Sequence, residues 1–464
     1  MEQALDVIRQ ILVILFWFCE VNIIYYVFLY LVGFVAHKQK YPMVDDKLKF
    51  CIFVPCHNEG PVVAATVDNF SHIDYDENLF DIYFIADNCK DNTSAILREN
   101  IAKYGKRNFH VLVRREKDHN KRGKPYALRW AIDVLERDHC FYGYYDMMAI
   151  FDADNFVDAT ILKHINSQYA HSKENKKPVM IQCYLDSKNK KGLVARGYFE
   201  AYRVTNAFWQ ISKQKLHLVP AIGGTGFAVT LDFLKSIGGY NCYSLTEDLE
   251  IQTIATFKNA RIEYNGNARI YDEKPTRIKQ AFVQRTRWAQ GHWYLFFKYV
   301  PRLFIQLFNP LTIKNFFKKI DIIIYLSARF FGIVAVFAIL LNIFYIACGL
   351  IMRFDTNYLP LWVQIVNYCV LALSILVVPL SSLYDGSKEE KKRVVIVLIP
   401  NVIGMYLIGF IDMIIGFPGL FMSWNQHVWK KTAHNITTMD ETIGNDAEIQ
   451  PVETNTAVNE AANV

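Results

Sequence analysis

Charged residues are scarce in this chain of 464 residues: Asp, Glu, Lys and Arg together make up 21% of it. Hydrophobic residues make up 52% and aromatic residues 15%, so the average composition leans toward a membrane protein. The net charge of +6 is modest, and no motif that reads RNA or DNA accompanies it. Nucleic acid is therefore not an expected partner.

Paired cysteines are also missing. The nine cysteines are scattered without a CxxC pair and without a His/Cys spacing typical of metal ligands. This pattern argues against a disulfide framework and against a zinc site. We interpret the cysteines as reduced thiols, either cytosolic or buried.

No cleavage site of small residues follows the first apolar stretch, residues 11–35, which is too long for the core of a signal peptide. A bilayer is crossed by about 20 helical residues, so residues 9–37 are predicted to form a transmembrane helix. The basic residues between His37 and Lys40 predict that the domain that follows lies on the cytoplasmic side of the plasma membrane.

Further apolar stretches at 320–352, 361–383 and 394–424 predict a multi-pass protein, whose C-terminal transmembrane region at 320–424 has about three segments. The last stretch contains four residues that can break a helix, Pro400, Gly404, Gly416 and Pro418. Two alternatives therefore remain for this stretch: a simple span, or a span followed by an interfacial or re-entrant piece. Because Lys and Arg are absent after Lys431, residues 432–464 are predicted to be a disordered acidic tail.

Strands alternate with helices between residues 45 and 279, which predicts an α/β domain with a mostly parallel sheet. The expected strands are 50–54, 82–86, 111–113 and 147–151. Three of them end in polar loops, and ligands gather at the carboxyl ends of such strands. The sequence therefore predicts a nucleotide site at this edge of the sheet.

The fourth predicted strand delivers Asp152 and Asp154, whose side chains point to the same side of an extended chain. Two carboxylates offer hard oxygen ligands to Mg²⁺ or Mn²⁺, and such a cation also binds substrate phosphates. A pair of surface aspartates in a turn is the structural alternative. The position at the end of a buried strand favours the metal site.

Two residues in neighbouring loops are further candidates. Asp87 is placed to accept a hydrogen bond from the edge of a base, and its alternative is a turn or capping residue. Lys124, after Gly123, brings a cation toward the phosphates, with a solvated basic loop as an equal alternative.

Gly224, Thr225 and Gly226 form a loop whose backbone can approach a ligand closely, or a tight turn between packed elements. Glu247 and Asp248 follow Thr246 at a predicted helix start, where an N-cap and the helix dipole explain them fully. In the catalytic alternative, a carboxylate facing the donor is the base that deprotonates an acceptor hydroxyl.

A helix that precedes the C-terminal spans carries Gln284, Arg287 and Trp288 on one face. Arginine binds two diphosphate oxygens at once, and the indole ring offers a flat surface for a sugar. The structural alternative is an amphipathic helix on the bilayer, and residues 280–319 are predicted to be such interface helices. Both descriptions are compatible.

Taken in order, these motifs resemble those of membrane-embedded family 2 glycosyltransferases, the group that includes cellulose, chitin, hyaluronan and poly-N-acetylglucosamine synthases. The resemblance covers roughly residues 50–300 and implies a GT-A (Rossmann-like) fold flanked by transmembrane helices. The matching motifs are Pro55 to Glu59, Asp87, Gly123-Lys124, Asp152/Asp154, Thr246 to Asp248, and Gln284/Arg287/Trp288.

The resemblance implies a role for each matching residue. Glu59 and Asp87 would hold the uracil of a UDP-sugar, and Asp248 would be the general base. Asp152 and Asp154 would hold the donor phosphates through the metal. The remaining implied contacts are Lys124, Gln284, Arg285 and Arg287 for the diphosphate, and Gly224, Thr225, Gly226, Glu247 and Trp288 for the acceptor.

The chain departs from the large synthases in having one clear span before the catalytic domain and few after it. Two enzymatic functions therefore remain open. The first is an inverting synthase that extends and exports a β-linked glycan, with an accessory export or membrane subunit as a potential partner. The second is a transferase that adds one sugar to diacylglycerol or a polyprenyl carrier. A membrane scaffold with a degenerate enzyme domain is a third alternative, disfavoured by the intact motifs.

Overall fold

An eight-stranded mixed sheet forms the centre of the domain that follows the first helix and confirms the predicted α/β class. The computed structural model describes residues 2–173, 177–309, 315–385, 394–426 and 434–439. The strand order is β3-β2-β1-β4-β7-β6-β8-β5. The strands are β1 Phe50–Cys56, β2 Phe80–Asp87, β3 Phe109–Arg114, β4 Met147–Ile150, β5 Phe156–Val157, β6 Met180–Ser187, β7 Phe227–Thr230 and β8 Ile262–Asp272.

The four strands expected from the sequence form the parallel half of this sheet. β1 pairs in parallel with β2 and β4, and β2 pairs in parallel with β3. In the other half β6 and β8 also pair in parallel, but β7 runs antiparallel to both β4 and β6, and β5 runs antiparallel to β8. The carboxyl ends of β1, β2 and β4 therefore meet at one edge, as the site prediction requires.

The core lies on both faces of the sheet, as expected for strands with continuous apolar runs. Along β1, Phe50, Ile52 and Val54 pack into one core cluster, whereas Cys51 and Phe53 pack into the other.

The helices are α1 Glu2–Val35, α2 Gly60–Ser71, α3 Thr93–Tyr104, α4 Lys124–His139, α5 Phe141–Tyr144, α6 Ile161–His171, α7 Leu193–Val204, α8 Ile211–Lys215, α9 Leu231–Ser236, α10 Glu247–Phe257, α11 Ile278–Leu307, α12 Phe316–Leu326, α13 Ala328–Met352, α14 Leu361–Asp385 and α15 Val394–Phe421. A π-helical segment, Thr205–Gln210, lies between α7 and α8.

Three helices among the described residues are long and apolar enough to cross a membrane: Gln3–Val35, Ala328–Met352 and Ile399–Phe421. The apolar part of α14, Leu361–Val377, is shorter. The stretch at 394–424 is one helix despite its proline and glycine residues, which membrane helices tolerate.

The stretch at 320–352 was expected to hold one span, and the candidate span found in it, Ala328–Met352, starts later than expected, because α12 ends at Leu326 and α13 starts at Ala328. The reason is an anchor on α12. Buried Asp321 pairs with Lys213 at 2.8 Å and accepts a hydrogen bond from the backbone of Val219 at 2.8 Å. These contacts hold α12 against the catalytic domain, and only α13 continues as a candidate span.

The last helix packs closely against two helices of the catalytic region. A methyl group added at Gly197 of α7 would lie 2.2 Å from the carbonyl oxygen of Gly404, and one added at Gly419 would lie 2.6 Å from the Cβ of Ala289 in α11. Glycine is therefore required where α15 crosses α7 and α11. These crossings bring a candidate span next to the functional site.

Candidate active site

A pocket of about 870 Å³ opens at the carboxyl ends of β1, β2 and β4. It collects all but two of the residues predicted from the sequence. Those that line it are Glu59, Asp87, Lys124, Asp152, Asp154, Gly224, Thr225, Glu247, Asp248, Gln284, Arg287 and Trp288, whereas Gly226 and Arg285 lie outside its lining.

Lys124 connects the separate motifs at the centre of the pocket. It is the first residue of α4, and its Nζ lies 2.6 Å from Oδ1 of Asp152 and 2.5 Å from the carbonyl oxygen of Gly224. Oε1 of Glu247 lies 3.8 Å away. Burial lowers the pKa of Lys124, but the charges of Asp152 and Glu247 outweigh it and raise the pKa overall. The lysine is therefore a fixed cation and not a solvated surface residue.

Asp87 lies at the end of β2 and is buried. Its Oδ1 accepts hydrogen bonds from Arg114 at 2.8 Å and from Asn88 at 2.7 Å. Asp91, and not Asp87, accepts backbone N–H groups at the starts of two helices, from Thr93 of α3 and Gly60 of α2, both at 3.1 Å. The structure thus holds Asp87 in one orientation at the pocket wall.

The loop after β4 is fixed by polar contacts from the glycine-rich loop. The backbone N–H of Asp152 donates to Thr225 Oγ1 and to Asn155 Oδ1, both at 3.0 Å, and Thr225 donates to Asn155. Gly224 has a positive φ of 77°, and a methyl group added there would lie 3.2 Å from Oδ2 of Asp248. The Gly224 loop is thus held between the two pairs of acidic residues.

Asp154 is buried, and burial raises its pKa, but the charges of His434 and Lys188 outweigh burial and lower the pKa overall. Burial raises the pKa of Asp272, Lys274 opposes this effect, and the charges of Asp154 and Asp152 raise it further. The hard oxygen atoms of Asp152 and Asp154 suit Mg²⁺ or Mn²⁺. No cluster of three or more His, Cys, Asp or Glu side chains placed to hold a metal occurs in the described part of the chain.

Glu247 and Asp248 open α10, with Thr246 in the N-cap position as predicted. Burial raises the pKa of Glu247 to about 7, although Lys124 opposes this shift. Burial also raises the pKa of Asp248, against the charges of Lys124 and Arg287. This pair therefore gives up its protons closer to neutral pH than ordinary carboxyl groups do.

Gln284, Arg287 and Trp288 lie on the long helix α11, Ile278–Leu307. Arg287 lies close enough to Glu247, Asp152 and Asp248 for their charges to raise its pKa, although burial dominates and lowers it. Arg285 points elsewhere: it pairs with Asp412 of α15. The lining of the pocket also includes an aromatic residue of α12, Tyr325.

Sequence reasoning missed several residues that hold this geometry. Gln182 of β6 donates to the carbonyl oxygens of Thr225 and Gly226 at 3.1 and 3.0 Å and accepts from the N–H of Gly223 at 2.9 Å. Gln426, after α15, accepts from the N–H of Leu245 at 2.8 Å and lines the pocket. The signal available for Gln182 was a polar residue within the apolar start of β6.

Residues 434–439 lie against the side of the pocket that is lined by Glu59, although they belong to the predicted tail. Nδ1 of His434 lies 3.4 Å from Oε2 of Glu59. Glu273 accepts the backbone N–H groups of Asn435 and Ile436 at 2.9 and 2.8 Å. The rest of the predicted tail, apart from these six residues, lies outside the described residues.

Three curated relatives are similar to this chain at low identity. They are a probable glycosyltransferase, YdaM, of Bacillus subtilis (23% over 293 residues, 61% of this chain and 66% of the relative), a beta-monoglucosyldiacylglycerol synthase of Nostoc (25% over 264 residues, 57% and 53%) and a poly-beta-1,6-N-acetyl-D-glucosamine synthase of Staphylococcus aureus (22% over 271 residues, 58% and 61%). The chain thus spans between about half and two thirds of the length of these relatives.

Among solved structures, the chain is similar to a mannosyltransferase, PcManGT, from Pyrobaculum calidifontis in complex with GDP-Man and Mn²⁺. The TM-score is 0.52 at 15% identity, with 86% of this chain and 98% of that chain covered. This similarity shows a shared GT-A fold. The model of the protein family described as "Glycosyltransferase like family 2" matches residues 48–291, which are more than half of the chain. The chain therefore belongs to glycosyltransferase family 2.

Proposed function

We propose that this protein is an inverting, metal-dependent glycosyltransferase that moves a sugar from a UDP-sugar to an acceptor hydroxyl at the inner face of the plasma membrane. One observation carries the proposal. Lys124, Asp152, Asp248 and Arg287 surround one pocket, and Trp288 lines the same pocket near the candidate spans. Donor phosphate, acceptor and bilayer are then close together.

The donor is proposed to bind at the end of the pocket formed by β1 and β2. Glu59 and Asp87 are the residues that we propose accept hydrogen bonds from the uracil. The diphosphate oxygens would accept hydrogen bonds from Lys124, Arg287 and Gln284. Hydrogen bonds to a charged group of this kind are stronger than those between neutral groups. Mg²⁺ or Mn²⁺ held by Asp152 and Asp154 would neutralise charge on the leaving diphosphate.

Asp248 is proposed to be the general base. Its carboxylate takes the proton of the acceptor hydroxyl while the hydroxyl oxygen bonds to the anomeric carbon and the bond from that carbon to the diphosphate oxygen breaks. The raised pKa of Asp248 suits this step, because a base is most effective when its pKa lies near the working pH. A single displacement of this kind converts an α-linked donor into a β-linked product.

The acceptor that we propose first is the growing end of a glycan, with the sugar ring packed on the indole of Trp288 and close to Glu247. Gly224 and Thr225 border the same space. The similarity to a poly-N-acetylglucosamine synthase supports this acceptor. Extension and export by the chain itself, or with an accessory membrane subunit, belong to this proposal.

A lipid acceptor is the second candidate, and a specific contact favours it. The pocket lining includes His292 of α11 and Tyr325 of α12, and α13 starts two residues after α12 ends. A hydroxyl carried by diacylglycerol or a polyprenyl carrier would reach the pocket from this side. The similarity to the glucosyldiacylglycerol synthase supports the same acceptor.

Product analysis tests the proposal and separates the two acceptors. The full chain is purified into lipid vesicles that contain diacylglycerol and is incubated with radiolabelled UDP-glucose or UDP-N-acetylglucosamine and Mn²⁺. Label in a polymer that β-glycosidases digest supports the first acceptor, and label in a glycolipid supports the second. If no labelled product forms with either donor and UDP is not released, the proposed function is wrong.

A further inference from the structure

Asp412 is a carboxylate within the last candidate span, where an ionisable group is costly unless it is paired. It lies between two arginines from different helices. Its Oδ2 accepts a hydrogen bond from Arg285 of α11, and its Oδ1 lies 3.0 Å from Nη1 of Arg329 in α13. The side chain of Arg285 is 7% exposed and that of Arg329 is 15% exposed.

The guanidinium of Arg285 lies over two aromatic rings of the pocket. Its central carbon is 4.4 Å from the ring centroid of Tyr198 and 5.3 Å from that of Trp288. The two rings are themselves in edge-to-face contact, with centroids 6.4 Å apart. Tyr198 and Trp288 line the pocket, whereas Arg285 does not. Arg285 thus links Asp412 to the aromatic wall of the pocket, on which its guanidinium stacks.

A purely structural role for this ion pair is the alternative, since it joins α15 to α11. Other contacts already join these helices. The indole N–H of Trp293 donates to the carbonyl oxygen of Gly416 at 2.9 Å, and Gly419 packs against Ala289. Because α15 is held at these points, the buried ion pair is not needed to dock the helix, and burying charges is weak evidence for stability.

We propose that Asp412 is a positioning residue for the acceptor: by holding Arg285 over Tyr198 and Trp288, it fixes the orientation of the indole against which the acceptor packs. Arg285 then acts on the aromatic wall and not on the diphosphate. The proposal rests on the proposed function, since it assigns Trp288 to the acceptor. It makes the last membrane helix a part of acceptor binding.

Two matched variants separate positioning from charge pairing. R285K and R329K each replace an arginine that pairs with Asp412 by a lysine and keep the positive charge. Only R285K loses the planar group that stacks on both rings. D412N removes the partner of both arginines, and the two lysine variants remain informative if the unpaired arginines of D412N unfold the protein.

Three measurements are made on each variant: the KM for the acceptor probe, the affinity for UDP with Mn²⁺, and the thermal transition. The fourth is the fluorescence emission of Trp288, obtained by subtracting the emission of the same variant that also carries W288F. The acceptor probe is diacylglycerol in phosphatidylcholine vesicles or chitobiose, whichever the unmodified protein glycosylates. We expect R285K and D412N to raise the acceptor KM about tenfold, the effect of losing a desolvated cation–π contact. UDP affinity stays within about twofold, and the Trp288 emission shifts.

R329K is expected to match the unmodified protein in acceptor KM and in Trp288 emission. Equal effects of R285K and R329K, or an unchanged Trp288 emission in R285K, would overturn the positioning role. If the unmodified protein glycosylates neither probe, the proposed function fails, but the emission difference between R285K and R329K still tests the proposed contact.

Discussion

The ammonium group of Lys124 lies 2.6 Å from Oδ1 of Asp152, and the same nitrogen lies 2.5 Å from the carbonyl oxygen of Gly224. One side chain at the start of α4 therefore joins the acidic loop after β4 to the glycine-rich loop that faces Asp248. A diphosphate bound here would meet a preformed cation, which needs no rearrangement when the donor arrives.

Replacing Lys124 by Ala is expected to weaken donor binding. The change removes a charge-assisted contact to the phosphates and leaves Asp152 without its cation, and a hydrogen bond to a charged group is worth about 1.5–3 kcal/mol. Titration of UDP by calorimetry should show a loss of roughly 10- to 100-fold in affinity. K235A, a change of an exposed lysine on α9, should bind UDP as the unmodified protein does. Equal UDP affinity of the two variants would remove Lys124 from the donor site.

The rate of transfer should fall as the pH drops through the raised pKa values of Glu247 and Asp248. The pKa of Glu247 is raised to about 7 and that of Asp248 is also raised, so protons occupy this pair at a pH where ordinary carboxyl groups are ionised. Protonation removes the base and therefore the activity. The stability that the pair contributes has the opposite dependence: it is present below the ordinary carboxyl pKa and is lost as the pH rises through the raised pKa.

A pH series of kcat/KM on the unmodified protein, E247Q and E99Q tests this expectation. E247Q should move the acid limb to lower pH, because one carboxylate no longer disfavours ionisation of the other. E99Q, at an exposed position of α3, should leave the profile unchanged. A flat profile between pH 5 and 8 in the unmodified protein would contradict the assignment of a carboxylate base with a raised pKa.

Replacing Gly291 by Ala should destabilise the contact between α10 and α11. The added methyl group would lie 2.4 Å from Oγ1 of Thr246, the residue that precedes Glu247 and Asp248. Overpacking of this kind costs about 1–3 kcal/mol. Thermal unfolding should therefore occur at a lower temperature, and transfer should slow because the base moves. G332A is the matched control, since no atom of the described residues beyond its own stretch of helix lies within 4 Å of its added methyl group. A G291A protein with an unchanged thermal transition would show that the helices separate without cost.

Replacing Asp154 by Ala should abolish the metal dependence of donor binding. The unmodified protein is expected to bind UDP more tightly with Mn²⁺ than with EDTA, because Asp152 and Asp154 would hold a cation that attracts the phosphates. D154A should bind UDP weakly under both conditions. D138A, an exposed change at the end of α4, controls for the loss of a carboxylate elsewhere. If D154A kept a full response to Mn²⁺, the metal would be held by other residues.

The order of the motifs along the chain was enough to predict that Asp152, Asp248 and Arg287 share a pocket. Each follows a signal that is local in sequence: a buried strand, a helix start, or one face of an amphipathic helix. The parallel strands could be predicted for the same reason. The antiparallel insertion of β7 could not, because short strands such as Phe227–Thr230 carry no mark of their direction.

Contacts between residues far apart in sequence escaped prediction. Arg285 and Asp412 are separated by 127 residues, and the motif alone favoured the diphosphate as the partner of this arginine. The break after α12 depends on Asp321 meeting Lys213, which hydropathy does not record. Such pairs become visible only when the packing of the helices is known, since a charge in an apolar stretch indicates a partner but not which one.

The central claim is that Asp248 removes the proton of the acceptor while other residues bind the donor. The most direct test compares the unmodified protein, D248N and D232N for transfer of radiolabelled sugar and for UDP affinity in the same vesicles. Asp232 is an exposed carboxylate in the first turn of α9 and serves as the control. D248N should lose transfer by at least about 10²–10⁴-fold with UDP affinity nearly unchanged, and D232N should keep both. Transfer by D248N at the rate of D232N would contradict the account.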